Sequence, residues 1–122
     1  MVETDVLQKL FRAFPNSIIN HSLEKETNIG KYVIVRGDRS GVFAGTLAAR
    51  DGREVKLTEC RRIWYWEGAA SISQLAIDGT HRPGECKFPA PVKEITILDA
   101  LEIIPCTEKA EASIKAVYEW KC

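Results

Sequence analysis

The chain has 122 residues, 45% hydrophobic and 28% charged, which suffices for one hydrophobic core and does not fit a disordered or fibrous protein. Its 17 Lys and Arg balance 17 Asp and Glu, so the whole molecule exerts no long-range pull on duplex DNA or an acidic membrane. The acidic start Met1-Val2-Glu3-Thr4-Asp5 leads into no apolar h-region and no run of about 18 apolar residues follows, so one cytoplasmic domain over residues 1–122 is expected.

Leu7, Leu10, Phe11 and Phe14 fall at i, i+3, i+4 and i+7, which predicts a first helix that Thr4 caps and Pro15 ends. Residues 16–30 mix Asn, Ser, His and charges with little period and read as a connector. Three strands are expected next, at Tyr32–Val35, Gly41–Leu47 and Val55–Thr58. Asp51-Gly52 supplies the positive φ angles of a type I′ hairpin between the last two. Continued alternation would put Arg62, Trp64 and Trp66 on one face and Arg61, Ile63 and Tyr65, the last a core residue, on the other.

Ser71 and Gln74 stand at capping-box spacing in Ala69–Gly79, which predicts a short helix. Residues 80–91, with Pro83, Gly84, Pro89 and Pro91, read as loop. Strand character resumes at Val92–Leu98 and continues through Leu101–Ile104. Thr107 then caps a last helix on which Ala110, Ile114, Val117 and Tyr118 share a face. The expected fold is α+β: an antiparallel β-meander packed with an N-terminal helix, a short central helix and a C-terminal helix.

No catalytic constellation stands out. His21 and His81 have no nucleophile or orienting motif around them, no glycine-rich phosphate loop is present, and among the carboxylates only Glu67 borders the aromatic segment. An enzyme is not expected; one would have to use Glu67 or His81. Cys60, Cys86, Cys106 and Cys122 lack paired spacing. A mixed site of Cys60, His81, Cys86 and Cys106 can be written down, but scattered cysteines are usually small core residues, so no metal is expected.

Two of the three tryptophans and two adjacent arginines crowd into Cys60–Trp66, just before the helix that opens at Ser71. Two readings are open: a core strand with solvated arginines, or a nucleotide pocket. In the second, indoles stack a base for about 1–3 kcal/mol, arginine forks take phosphate oxygens, and a helix start favours an anion.

The order Gly41-Val42-Phe43-Ala44-Gly45, Asp51-Gly52, Arg61-Arg62-Ile63-Trp64-Tyr65-Trp66-Glu67-Gly68-Ala69, Ser71-x-Ser73-Gln74-Leu75-Ala76, Gly79, Cys86-Lys87-Phe88, Ile103-Ile104-Pro105 and Lys109-Ala110 before Ile114 resembles a family of small phage and prophage proteins, the Thoeris anti-defence one family. The resemblance covers about residues 31–120, and its middle block is the specific part. It implies a sponge that sequesters cyclic ADP-ribose signals made by a bacterial TIR-domain sensor. The Thoeris effector is then not switched on in the infected cytoplasm. It also implies a homodimer or larger assembly that encloses the ligand between protomers, with cyclic oligonucleotides at a separate site in some members, and no cofactor. The expected contacts are Trp64, Trp66 and Phe88 for stacking, Arg61, Arg62 and Lys87 for phosphate, and Ser71 for the helix end. Lys109 and Lys115 are candidates for a second anion site. The alternative is a phage structural or protein-interaction module with no small-molecule ligand.

Overall fold

A computed structural model describes residues 27–121; the expected first helix lies outside them. Strands β1 (Tyr32–Gly37), β2 (Val42–Asp51) and β3 (Glu54–Arg62) are followed by α1 (Ile72–Asp78), a 3₁₀ turn at Pro83–Glu85, β4 (Val92–Ile97), β5 (Ala100–Pro105) and α2 (Glu108–Ala116). The strands form one antiparallel sheet in the order β4-β3-β2-β1-β5. The antiparallel α+β expectation holds in this form. The single strand expected across 92–104 is two strands, broken at Leu98 and Asp99.

That break shapes the molecule. Strands β4 and β5 lie at opposite edges of the sheet, which in a flat sheet would be about 19 Å apart at 4.8 Å per strand spacing. Two intervening residues span at most about 11 Å, so the sheet has to curl until its edges meet. The corner is held by Ala100 N–H donating to Arg53 O at 3.0 Å and Asp38 N–H donating to Asp99 O at 2.8 Å.

Curling creates two cores. The barrel interior is filled by Val33, Val35, Phe43, Leu47, Val55, Leu57, Cys60, Ile97 and Ala100. The outer face is covered by α1 and α2, which bury Tyr32, Ile34, Ala44, Ile63, Leu75, Phe88, Ile114 and Val117. The run Tyr32–Val35 is buried without a break because β1 carries both cores, one on each side. Each fully buried aliphatic side chain contributes about 1.5–3 kcal/mol.

The local signals act largely as read. Ser71 Oγ accepts from Gln74 N at 3.2 Å to open α1, and Thr107 Oγ1 accepts from Ala110 N at 3.0 Å to open α2. Thr107 also donates to Ile77 O at 2.6 Å, tying the two helices together. Two details differ. In the β2–β3 hairpin Asp51 pairs with Glu54, so the loop is Gly52-Arg53, and only Gly52 takes a positive φ, as at the first position of a type II′ turn. Tyr118 does not share the buried face of α2: the helix ends at Ala116 and Tyr118 is 87% exposed.

Candidate functional site

The Arg-Trp segment divides among three environments, because regular strand ends at Arg62 and with it the alternation that would align Arg62, Trp64 and Trp66. Within β3, Glu59 adopts φ +47 at a register shift against β2, so the parity of the strand changes by one. Arg61 therefore pairs with Ala44 and faces the helix side, whereas Arg62 pairs with Phe43 and faces the barrel rim.

Arg61 is 4% exposed and its guanidinium is fully committed. It donates to the carbonyl oxygens of Phe88 (2.9 Å), Pro89 (3.1 Å), Ile114 (3.3 Å) and Val117 (2.9 Å). It also lies 5.4 Å over the Phe88 ring. Phe88 itself is fully buried. Both were expected to touch ligand; within the protomer both are instead structural, Arg61 as a clamp on turn carbonyls and Phe88 as core. Trp66 is half-buried against the helix-side core, and its Nε1–H donates to Ala69 O at 3.0 Å. Ser71 uses its hydroxyl on its own helix.

Trp64, Tyr65 and Lys87 are brought together on the surface. The N–H groups of Trp64 and Tyr65 both donate to Lys87 O at 3.2 Å, and Lys87 N–H donates back to Tyr65 O at 2.8 Å. The chain after α2 joins them, Trp120 N–H donating to Phe88 O at 2.9 Å. Residues 64–65, 87–88 and 119–120 thus form a short three-segment ribbon. The Lys87 ammonium lies 5.7 Å from the Tyr65 ring and 5.7 Å from the Trp120 ring. Trp64 is 63% exposed, and Tyr65 and Trp120 are also solvent-facing. Tyr65 donates to Glu67, which raises its phenol above the ordinary range, and Arg82 pairs with the same carboxylate at 3.7 Å. The expectation that Tyr65 is core is thereby corrected.

Lys109 and Lys115 do not share a site. Lys109 pairs with Asp78 at 3.9 Å, across the α1–α2 contact. Lys115 pairs with Glu111 at 2.6 Å and sits 5.0 Å over the ring of Tyr32, whose buried phenol is pushed far up. Trp120 was missed from the sequence: it follows the last periodic helix residue, and nothing local tells that the tail returns beside Phe88. Among the described residues no group of three His, Cys, Asp or Glu side chains converges on a metal-sized point. Cys60 and Cys86 belong to different cores.

Arg62 opens on a different surface, where its guanidinium lies 4.5 Å over the Phe43 ring and donates to Ser40 O at 2.8 Å. There the β1–β2 turn is clasped by Asp99, whose carboxylate accepts from Arg39 N (2.8 Å), Ser40 N (3.1 Å) and Ser40 Oγ (2.6 Å). The Ser40 hydroxyl above all, and then the Arg39 N–H, hold that carboxyl below its ordinary value.

Among solved structures the chain is similar to a heptameric archaeal Sm protein, with TM-score 0.43 and 20% identity over 71% of this chain and 98% of that one. It is also similar to the P. aerophilum SmAP1 heptamer, with TM-score 0.44 and 19% identity over 75% and 96%. No curated protein sequence matches it. A family profile matches residues 30–114, from the turn before β1 into the last full turns of α2, and the chain belongs to that family, described as a domain of unknown function, DUF6948.

Proposed function

We propose that this chain is a phage anti-defence protein that binds and sequesters a cyclic ADP-ribose signal in the bacterial cytoplasm, so that the Thoeris effector is not activated, and that it holds the ligand without transforming it. The observation that carries the reading is the row Tyr65–Lys87–Trp120, flanked by Trp64: aromatic faces and a cation held at the surface and not consumed by the core. A purine stacks on such a face for about 1–3 kcal/mol, and an ammonium between two rings remains available to a pyrophosphate.

Magnitudes decide the assembly. A useful sponge needs nanomolar affinity, about 12 kcal/mol, and an open row supplies only a few of these. The remainder requires enclosure, which a second protomer laid over the row provides, so a homodimer or larger homo-oligomer belongs to the proposal.

The test is to titrate the purified chain with a cyclic ADP-ribose isomer in a calorimeter, then denature the complex and identify what is released. Tight binding, intact ligand, and a loss of about 5- to 150-fold in Trp64→Ala, with a loss of at least about tenfold in Lys87→Ala, are expected. Degraded ligand would make the chain an enzyme. No heat with any cyclic nucleotide would leave the row as the contact surface of a phage structural or protein-interaction module.

A further inference from the structure

None of Trp64, Tyr65, Lys87 and Trp120 lines the groove between the β1–β2 and β4–β5 turns. This groove has a volume of about 480 Å³, and its walls include Arg39, Ser40, Arg62, Ile95, Leu98 and Asp99. Small-molecule sites commonly occupy about 300–1,000 Å³.

Its charges are arranged for an anion. Arg62 is held by the Phe43 ring beneath it and by one N–H on Ser40 O, which fixes the plane of the guanidinium, while its other N–H groups bond to no described residue. The side chain of Arg39 makes no hydrogen bond or ion pair with a described residue, yet its backbone is pinned by Asp99. Among the described residues that line the groove the one carboxylate is Asp99, and its oxygens are occupied by three donors of the turn. Two arginines against one engaged carboxylate leave a local charge of +1.

The apolar wall is equally specific. Leu98 is 71% exposed in a two-residue turn, where a polar residue would serve the turn as well, and Ile95 is half-buried beside it. A carboxylate offers two oxygens, which a single arginine fork satisfies. Two forks on one rim suit the three terminal oxygens of a phosphate monoester.

We propose that this groove is a binding site for a phosphate monoester carrying a small planar or apolar group, with Arg39 and Arg62 on the phosphate and Leu98 and Ile95 against the body. The site is separate from the aromatic ribbon and does not depend on the function proposed for it.

The probe is phenyl phosphate, titrated into the full chain beside inorganic phosphate and benzoate. Phenyl phosphate is expected to bind at least tenfold more tightly than either. Arg39→Gln and Arg62→Gln should each weaken it tenfold or more, Arg62→Lys should restore only part of the loss, and Leu98→Ser should reduce the preference for phenyl phosphate without changing inorganic phosphate. The Arg39 side chain makes no hydrogen bond or ion pair with a described residue, so its variant reports on the groove even if Arg62→Gln loosens the rim. Lys87→Ala should leave phenyl phosphate binding unchanged whatever it does to a cyclic nucleotide. The proposal is overturned by no binding, by equal affinity for phenyl and inorganic phosphate, by unchanged affinity in Arg39→Gln, or by loss of binding in Lys87→Ala with both arginine variants intact.

Discussion

Arg61 and Val117 lie 56 residues apart in sequence, and the guanidinium of the first donates to the carbonyl oxygen of the second at 2.9 Å. With Phe88, Pro89 and Ile114, four backbone carbonyls of residues 88–89 and the end of α2 accept from this one side chain. In Arg61→Ala the Phe88 carbonyl keeps Trp120 N–H and the Ile114 carbonyl keeps Val117 N–H, but those of Pro89 and Val117 lose their donor, and the substitution is expected to cost about 3 kcal/mol. Arg61→Lys recovers little, since one ammonium cannot span four divergent acceptors. Urea denaturation reads both; a midpoint within error of the parent protein would show that the carbonyls find water instead.

Gly45 in β2 stands where β3 bulges against it. A methyl group there would lie 2.4 Å from Cys60 Cβ and 2.9 Å from Cys60 Cα, contacts that only backbone movement relieves. Gly45→Ala is expected to destabilise by about 3 kcal/mol, the cost of overpacking a filled interior. Thermal unfolding of the variant checks this, and an unchanged midpoint would mean that the bulge absorbs the methyl.

Cys106 is half-buried beside the helix-side core, and burial above all, with the Glu111 charge second, pushes its thiol up to about 12. At pH 8 about one thiol in 10⁴ would then be ionised, against about a quarter of an ordinary cysteine. Iodoacetamide is therefore expected to modify Cys106 on the order of a thousandfold more slowly in the folded protein than in denaturant, with a rate that climbs tenfold per pH unit. Peptide mapping after timed alkylation measures it. Equal rates in the two states would show an open thiol.

The clasp of Asp99 on Arg39 and Ser40 is acid-sensitive with a definite sign. Its carboxyl is held below the unfolded value of about 3.9, so the stabilisation is complete above that value and disappears as pH falls through the lower folded-state value. The Ser40 amide resonance should titrate with a midpoint below about 3.9 and should cease to titrate in Asp99→Asn. A midpoint above 3.9 would mean that the carboxylate is not the acceptor of the turn.

Much of the fold is legible in the chain because its signals are local: Ser71 and Thr107 cap the helices they were read to cap, and Val-Ile-Val in β1 marks a strand buried on both sides. The site is less legible for a reason of parity. From Val55 and Leu57, strict alternation would turn Cys60 and Arg62 toward the helices. The extra residue at Glu59 reverses this, sending Cys60 into the barrel and Arg61, not Arg62, under the helices. Glu59 carries no signature of a positive φ, which glycine usually supplies, so the exchange of roles between two adjacent arginines has no mark in the sequence. Trp120 is hidden for another reason: its neighbours Lys87 and Phe88 are distant in the chain.

The two-residue corner at Leu98 and Asp99 also sets the tempo of assembly. Strand β1 lies inside the sheet, between β2 and β5, yet its second edge is completed only by β5, with Ile34 meeting Ile104 about 70 residues later. On the ribosome the β1–β2–β3 meander emerges first, and among the described residues the strand that pairs with that edge is complete only when Pro105 has left the exit tunnel. The barrel then shuts in one long-range step whose loop-closure entropy places folding toward the millisecond-to-second end of the range for small domains. During that interval the exposed edge of β1 is the part of the nascent chain most in need of protection from another copy of itself.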